Sequence, residues 1–179
     1  MMAFAGIWRR IWNSAAVGVF VVLLAFVDSA RADAFFEGLD GDYQGKGFVK
    51  MDPKAPEENI RCRLNLGLSR LRDRLYVRGN CSIAGFLLPI NGSIVASNSV
   101  YSANLFNNLV QVTTNSFSGR RRGSNLMLVY DGNDVVTRKA IRAAMTIRKK
   151  RNGFDVELSR TGSNTDRFYD VGSIKFVAR

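Results

Sequence analysis

The amino-acid sequence predicts an all-β fold, a single antiparallel barrel of about eight to ten strands with one hairpin disulfide. Three observations predict it. Apolar and polar residues alternate with period two along a series of short runs, the pattern of strands that bury one face. Turn residues separate the runs at regular spacing: Asp131-Gly132, Asn152-Gly153, Thr161-Gly162, Gly119 and Gly123. Cys62 and Cys81 fall opposite each other when their two runs are folded into a hairpin. A closed barrel has no exposed strand edges, so it suits a soluble exported monomer better than an open sheet.

The first segment is read as a leader. Arg9 and Arg10 precede an apolar run over residues 15–27, followed by Ser29-Ala30-Arg31-Ala32-Asp33-Ala34. This order of charged, apolar and small residues is that of a cleaved signal peptide. The run is shorter than the roughly 20 residues that span a bilayer. No cysteine stands at its end to carry a lipid. Cleavage is expected after Ala34, with Ala32 as the alternative. Residues 1–34 are then the signal peptide and 35–179 the barrel domain, periplasmic or secreted, in an oxidising compartment.

Residues 43–51 form the first strand, broken by Gly45 and Gly47. In the second, Cys62, Leu64, Leu66 and Leu68 share one face, while Arg61, Arg63, Asn65 and Gly67 share the other. In the third, Leu75, Val77, Cys81 and Ile83 lie together, and residues 69–74 make a polar loop between the two strands. Setting Leu68 opposite Leu75 brings Leu66 to Val77, Leu64 to Gly79 and Cys62 to Cys81. Directly opposed Cβ atoms lie ~4.5–5.5 Å apart, within a small adjustment of bonding distance. Closing a loop of this size stabilises by ~3 kcal/mol on the chain-entropy model.

The run 86–97 is apolar but contains Pro89 and Asn91-Gly92. It reads as one kinked edge strand or as two short strands around a turn. Strands at 100–106, 110–117 and 124–130 follow. Ile141, Ala143, Met145 and Ile147 mark the inner face of the next, and their alternation argues against a helix over 135–145. Residues 154–158 alternate again, and 169–177 closes the chain.

Composition excludes several kinds of chemistry. The chain has no histidine, so Ser-His-Asp and Cys-His machinery, imidazole metal sites and histidine-ligated haem are ruled out. Bonding Cys62 to Cys81 removes thiolate catalysis and Cys-rich zinc sites. No phosphate-binding or dinucleotide glycine loop is present. The acidic residues Asp52, Glu57, Glu58, Asp131 and Asp134 sit in turn-like segments, and no spacing argues for a carboxylate-pair hydrolase. The expectation is a protein that is not an enzyme and carries no cofactor or metal.

Charge is the remaining signal. Removing the three Arg and two Asp of the leader from 26 basic and 15 acidic residues leaves 23 and 13, a net charge of +10. Two clusters stand out, Gly119-Arg120-Arg121-Arg122-Gly123 and Arg148-Lys149-Lys150-Arg151-Asn152-Gly153. Both are read as turns. Two strands lie between them, so in an up-and-down barrel they meet at one end. The 69–74 loop joins them if 86–97 is a single strand. The opposite end would hold the acidic turns at 52–58 and 131–134. The result is an anion-binding rim of Arg120, Arg121, Arg122, Arg148, Lys149, Lys150 and Arg151 facing an acidic one. The aromatic-basic interleaving of RNA-binding sequences is missing, so no nucleic-acid partner is expected.

Gly41-Asp42-Tyr43-Gln44-Gly45-Lys46-Gly47, Ile60-Arg61-Cys62-Arg63 and Gly79-Asn80-Cys81 resemble small exported alphaproteobacterial β-barrel-type proteins of unknown function, over most of the mature chain. That resemblance supplies no active site to transfer. The layout is similar, more distantly, to secreted metalloprotease-inhibitor barrels and to lipocalins. Those carry a Trp near the first strand where Tyr43 stands here. The functional expectation is an exported or cell-envelope-associated binding barrel. Its partners would be anionic lipid head groups, acidic glycans or an acidic protein surface, with peripheral membrane contact and a small apolar ligand as further options. The alternative is a protein-protein module such as a protease inhibitor or envelope assembly factor. An eight-stranded outer-membrane barrel ranks below both.

Overall fold

The computed structural model describes residues 33–50, 52, 54–107, 117–133, 140–162 and 165–179. Ten strands occur in chain order: β1 Gly41–Val49, β2 Glu58–Leu68, β3 Arg74–Ile83, β4 Phe86–Ser97, β5 Val100–Asn107, β6 Phe117–Arg122, β7 Asn125–Asn133, β8 Ala140–Lys150, β9 Gly153–Gly162 and β10 Thr165–Ala178. Each pairs antiparallel with its sequence neighbours. The wall closes where β1 meets β10, from Tyr43 opposite Ala178 to Val49 opposite Gly172. First and last strand thus satisfy each other's backbone groups, and the closed sheet has no edge.

The β2–β3 hairpin has the register its sequence predicts: Leu68 faces Leu75, Leu66 faces Val77, Leu64 faces Gly79, and Cys62 faces Cys81. Cys62 and Cys81 are bonded, S–S 2.05 Å. Turn chemistry sets several hairpins. Ala84-Gly85 and Asn98-Ser99 each place two residues at positive φ between directly paired strand ends, the geometry whose twist matches that of the flanking strands.

Residues 86–97 form one strand. Pro89 is tolerated because β4–β5 pairing begins only at Ile90 opposite Asn107, so the proline faces one described neighbour, Asn80 on β3. Asn91-Gly92 continues the strand and does not turn it. The expected strand at 110–117 falls outside the described residues up to Phe117, where β6 begins. Both basic clusters differ from expectation. Arg120, Arg121 and Arg122 belong to β6, and the turn is Gly123-Ser124; Arg148, Lys149 and Lys150 belong to β8, and the turn is Arg151-Asn152. Their ladders run to the last residue because Arg122 pairs Asn125 and Lys150 pairs Gly153.

The alternation sends one face of every strand inward. Leu64, Leu66, Val77, Leu126, Leu128 and Ile147 are among the buried core. Near one end Phe154 stacks on Phe176 at 4.6 Å and meets Tyr43 edge-on at 5.0 Å. That end, called basal here, carries the turns at 69–73, 98–99, 123–124 and 151–152. The apical end carries the Ala84-Gly85 turn and the C-terminal ends of β1, β5, β7 and β9.

Candidate functional site

Two features of the barrel carry chemistry: its interior and its basal end. A barrel of about eight strands is just filled by its own side chains, and this one has ten. Inward glycines widen it further: Gly79 stands opposite Leu64 and Gly92 opposite Val77. The outcome is an interior cavity of about 180 Å³ whose lining is wholly apolar. Leu66, Val77, Met145, Val156 and Ile174 contribute to its wall, as does the disulfide of Cys62 and Cys81. A void of about 150 Å³ lined by aliphatic and aromatic groups stays dry and admits benzene. The space therefore suits one ring or a short alkyl chain.

The basal end is closed by the chain's own entry into the barrel. Phe35 and Phe36 are buried, and each packs edge-to-face against Tyr101 at 6.1 and 5.8 Å. Phe35 and Leu39 form part of the cavity floor. The tight fold of this plug rests on Asp33. Its carbonyl accepts from the Phe36 N–H at 3.0 Å, and its carboxylate accepts from the Phe35 N–H at 2.8 Å. The Tyr101 hydroxyl donates to the same carboxylate, 2.7 Å from both oxygens. Burial, then this bond and the Asp33 charge, push the Tyr101 phenol well above its usual value, with Arg121 acting weakly in the opposite sense. Asp33, two residues before the boundary expected at Phe35, is thus bonded to the barrel.

The predicted rim residues do gather at the basal end, but they do not act as one cluster. Arg148 is bonded to Glu157 at 2.8 Å, Lys150 lies 3.6 Å from Asp155, and the Lys149 ammonium donates to the Glu37 carbonyl of the plug. Arg120, Arg121, Arg122 and Arg151 have no carboxylate within ion-pair distance among the described residues, and with exposed Arg70 and Arg72 they make the basal surface basic. The expected acidic apical rim is not present as such. Asp52 faces Arg160 at 3.8 Å, Glu57 pairs Lys50 at 3.2 Å, and Asp131 pairs Arg142, whose hydrogen bond holds the Asp131 carboxyl below its usual value. Neutralisation at this end follows from β8 and β9 carrying Arg142 and Arg160 to the same height as the acidic turns. Asp134 lies outside the described residues.

At the start of β4, Leu88 is buried and Ile90 lines the cavity, whereas Phe86 and Leu87 are exposed. Sequence reasoning missed the plug. Phe35, Phe36 and Leu39 precede β1, where no strand period exists to reveal them. The fold and cavity define a closed ten-stranded antiparallel barrel with an apolar interior and a basic base. Comparison with known protein families and with curated proteins finds no match to this chain.

Proposed function

We propose that this chain is an exported, non-enzymatic binding barrel that takes a small apolar ligand into its interior and turns its basic base toward an anionic envelope component. The observation that carries the reading is the wholly apolar cavity of about 180 Å³ inside a closed wall. Apolar contact there supplies affinity without any polar anchor, at roughly 25 cal/mol per Å² buried. Outward Lys46, Arg61, Arg63 and Arg148 stand within the strands, where an integral outer-membrane barrel would present an apolar band. Leu71, exposed between Arg70 and Arg72 in the β2–β3 loop, favours a protein partner at the base as the second reading.

The test is native mass spectrometry of protein purified from the periplasm without detergent, followed by thermal melting with toluene. A retained small apolar molecule, or a rise in melting temperature that Val156→Phe removes by filling the cavity, supports the proposal. A bare protein indifferent to toluene refutes it. Pull-down of one stoichiometric protein partner, lost on replacing Arg70, Leu71 and Arg72, would favour the second reading.

A further inference from the structure

The outer wall holds a group of cations that the basal rim does not include. Register places Lys175 on β10 opposite Lys46 on β1, Lys46 opposite Arg61 on β2, Arg61 opposite Ser82 on β3, and Ser82 opposite Leu87 on β4. One row lower, Arg63 stands between Gln44 and Asn80. Lys46, Arg61, Arg63, Asn80, Ser82 and Leu87 line a concavity of about 470 Å³ on the outside of the barrel.

Two features mark this wall. First, like charges directly opposite on neighbouring strands are destabilising, yet Lys175, Lys46 and Arg61 are three in a row. On its β9 side Lys175 faces Asp155, which also lies 3.6 Å from Lys150, so the cations of the row that face no acid on either side are Lys46 and Arg61. Lys46, Arg61, Arg63 and Lys175 have no carboxylate within ion-pair distance among the described residues. Second, the row ends at the tight Ala84-Gly85 turn, where Phe86 is 73% and Leu87 68% exposed. Leu87, on the outer face beside Ser82, and Phe86, at the rim next to the turn, are exposed apolar side chains beside these cations and match the head-group and acyl boundary of a bilayer. The row crosses four strand spacings, ~19 Å, wider than one small anion.

We propose that the β1–β4 wall is a docking surface for a bilayer of anionic phospholipid, with Lys46, Arg61, Arg63 and Lys175 on the phosphates and Phe86 and Leu87 entering the acyl boundary. It is a different face from the basal rim and does not depend on the interior ligand. Anionic lipid supplies the counter-charge that the folded wall lacks, and salt weakens the contact by screening.

Co-sedimentation with phosphatidylglycerol-containing vesicles, against pure phosphatidylcholine vesicles, tests it. The wild-type protein is expected on the anionic vesicles only. The variant Lys46→Gln, Arg61→Gln, Arg63→Gln should lose on the order of 100-fold in affinity, at about one kcal/mol per basic residue at an anionic surface. Phe86→Ser with Leu87→Ser should lose roughly 10-fold or more. Arg120→Gln, Arg121→Gln, Arg122→Gln at the base should lose less than the wall variant. The wall variant should also melt higher than wild type, because it relieves repulsion within the folded state. Equal binding to phosphatidylcholine, full competition by millimolar inorganic phosphate, a larger loss from the basal variant, or a lower melting temperature of the wall variant would each overturn the proposal.

Discussion

Tyr101→Phe isolates what holds the base of the barrel shut. The substitution removes one oxygen and leaves the ring in place against Phe35 and Phe36. Tyr101 is 1% exposed, and its hydroxyl lies 2.7 Å from both oxygens of Asp33. Hydrogen bonds to a charged group contribute ~1.5–3 kcal/mol net. Asp33 is only half-buried and keeps the Phe35 N–H, so water can replace part of the loss. The expected cost is therefore about 1.5–2 kcal/mol, at the lower end of that range. For a domain of this size that corresponds to a fall of roughly 5 °C in melting temperature. Both tryptophans, Trp8 and Trp12, precede the described barrel, so urea unfolding is best followed by circular dichroism. Tyr76→Phe, on the exposed face of β3, is the control and should change stability by less than about 0.5 kcal/mol. A Tyr101→Phe variant indistinguishable from that control would show that the Asp33–Tyr101 pair does not secure the plug, and the account of the closed base would fail.

Five further outcomes are expected. Replacing Cys62 and Cys81 together by Ala should cost ~3 kcal/mol in urea unfolding, since the bond closes a loop with a sequence separation of 19. Gly47→Ala should destabilise by ~2–3 kcal/mol, because its new Cβ would lie 1.8 Å from the Ser173 carbonyl oxygen across the ladder. Gly67→Ala, which meets nothing within 4 Å, should instead stabilise by about 0.5 kcal/mol in the same assay. The Tyr101 contribution to stability should be full below pH 10.0, the ordinary tyrosine value, and be lost as pH rises beyond it, because burial raises the folded Tyr101 pKa above the unfolded one. Tyr101→Phe should flatten that decline. Finally, if the leader is removed as the proposed export requires, N-terminal sequencing of the mature protein should begin at Asp33. Cleavage after Ala34 would discard the carboxylate that receives Tyr101 and place a charged α-ammonium on Phe35, which is 1% exposed.

Much of the wall was legible in the sequence because a half-buried strand declares its two faces residue by residue. The Cys62–Cys81 register came from matching two such patterns across a short loop, with no knowledge of the rest of the chain. Reading 120–122 and 148–150 as turns failed for a local reason. Runs of charge look like loops, but in an up-and-down barrel the strand ends reach the rim, where outward Arg120, Arg122, Arg148 and Lys150 meet solvent and even the inward-parity Arg121 and Lys149 lie beyond the last core layer.

The period-two pattern by itself determined that this chain is an antiparallel β protein, which residues face inward on most strands, and which two sulfurs meet. Alternation is a property of each strand, and hairpin pairing is a property of neighbours in sequence. Only the tertiary structure decided the rest. Closure of β1 on β10 sets the circumference and so leaves the cavity. The Asp33–Tyr101 bond, 68 residues apart, closes the base. The same closure lines up Lys175, Lys46 and Arg61 from three strands. Each of these depends on where distant segments are brought to the same height around the wall, and a one-dimensional pattern carries no information on that height.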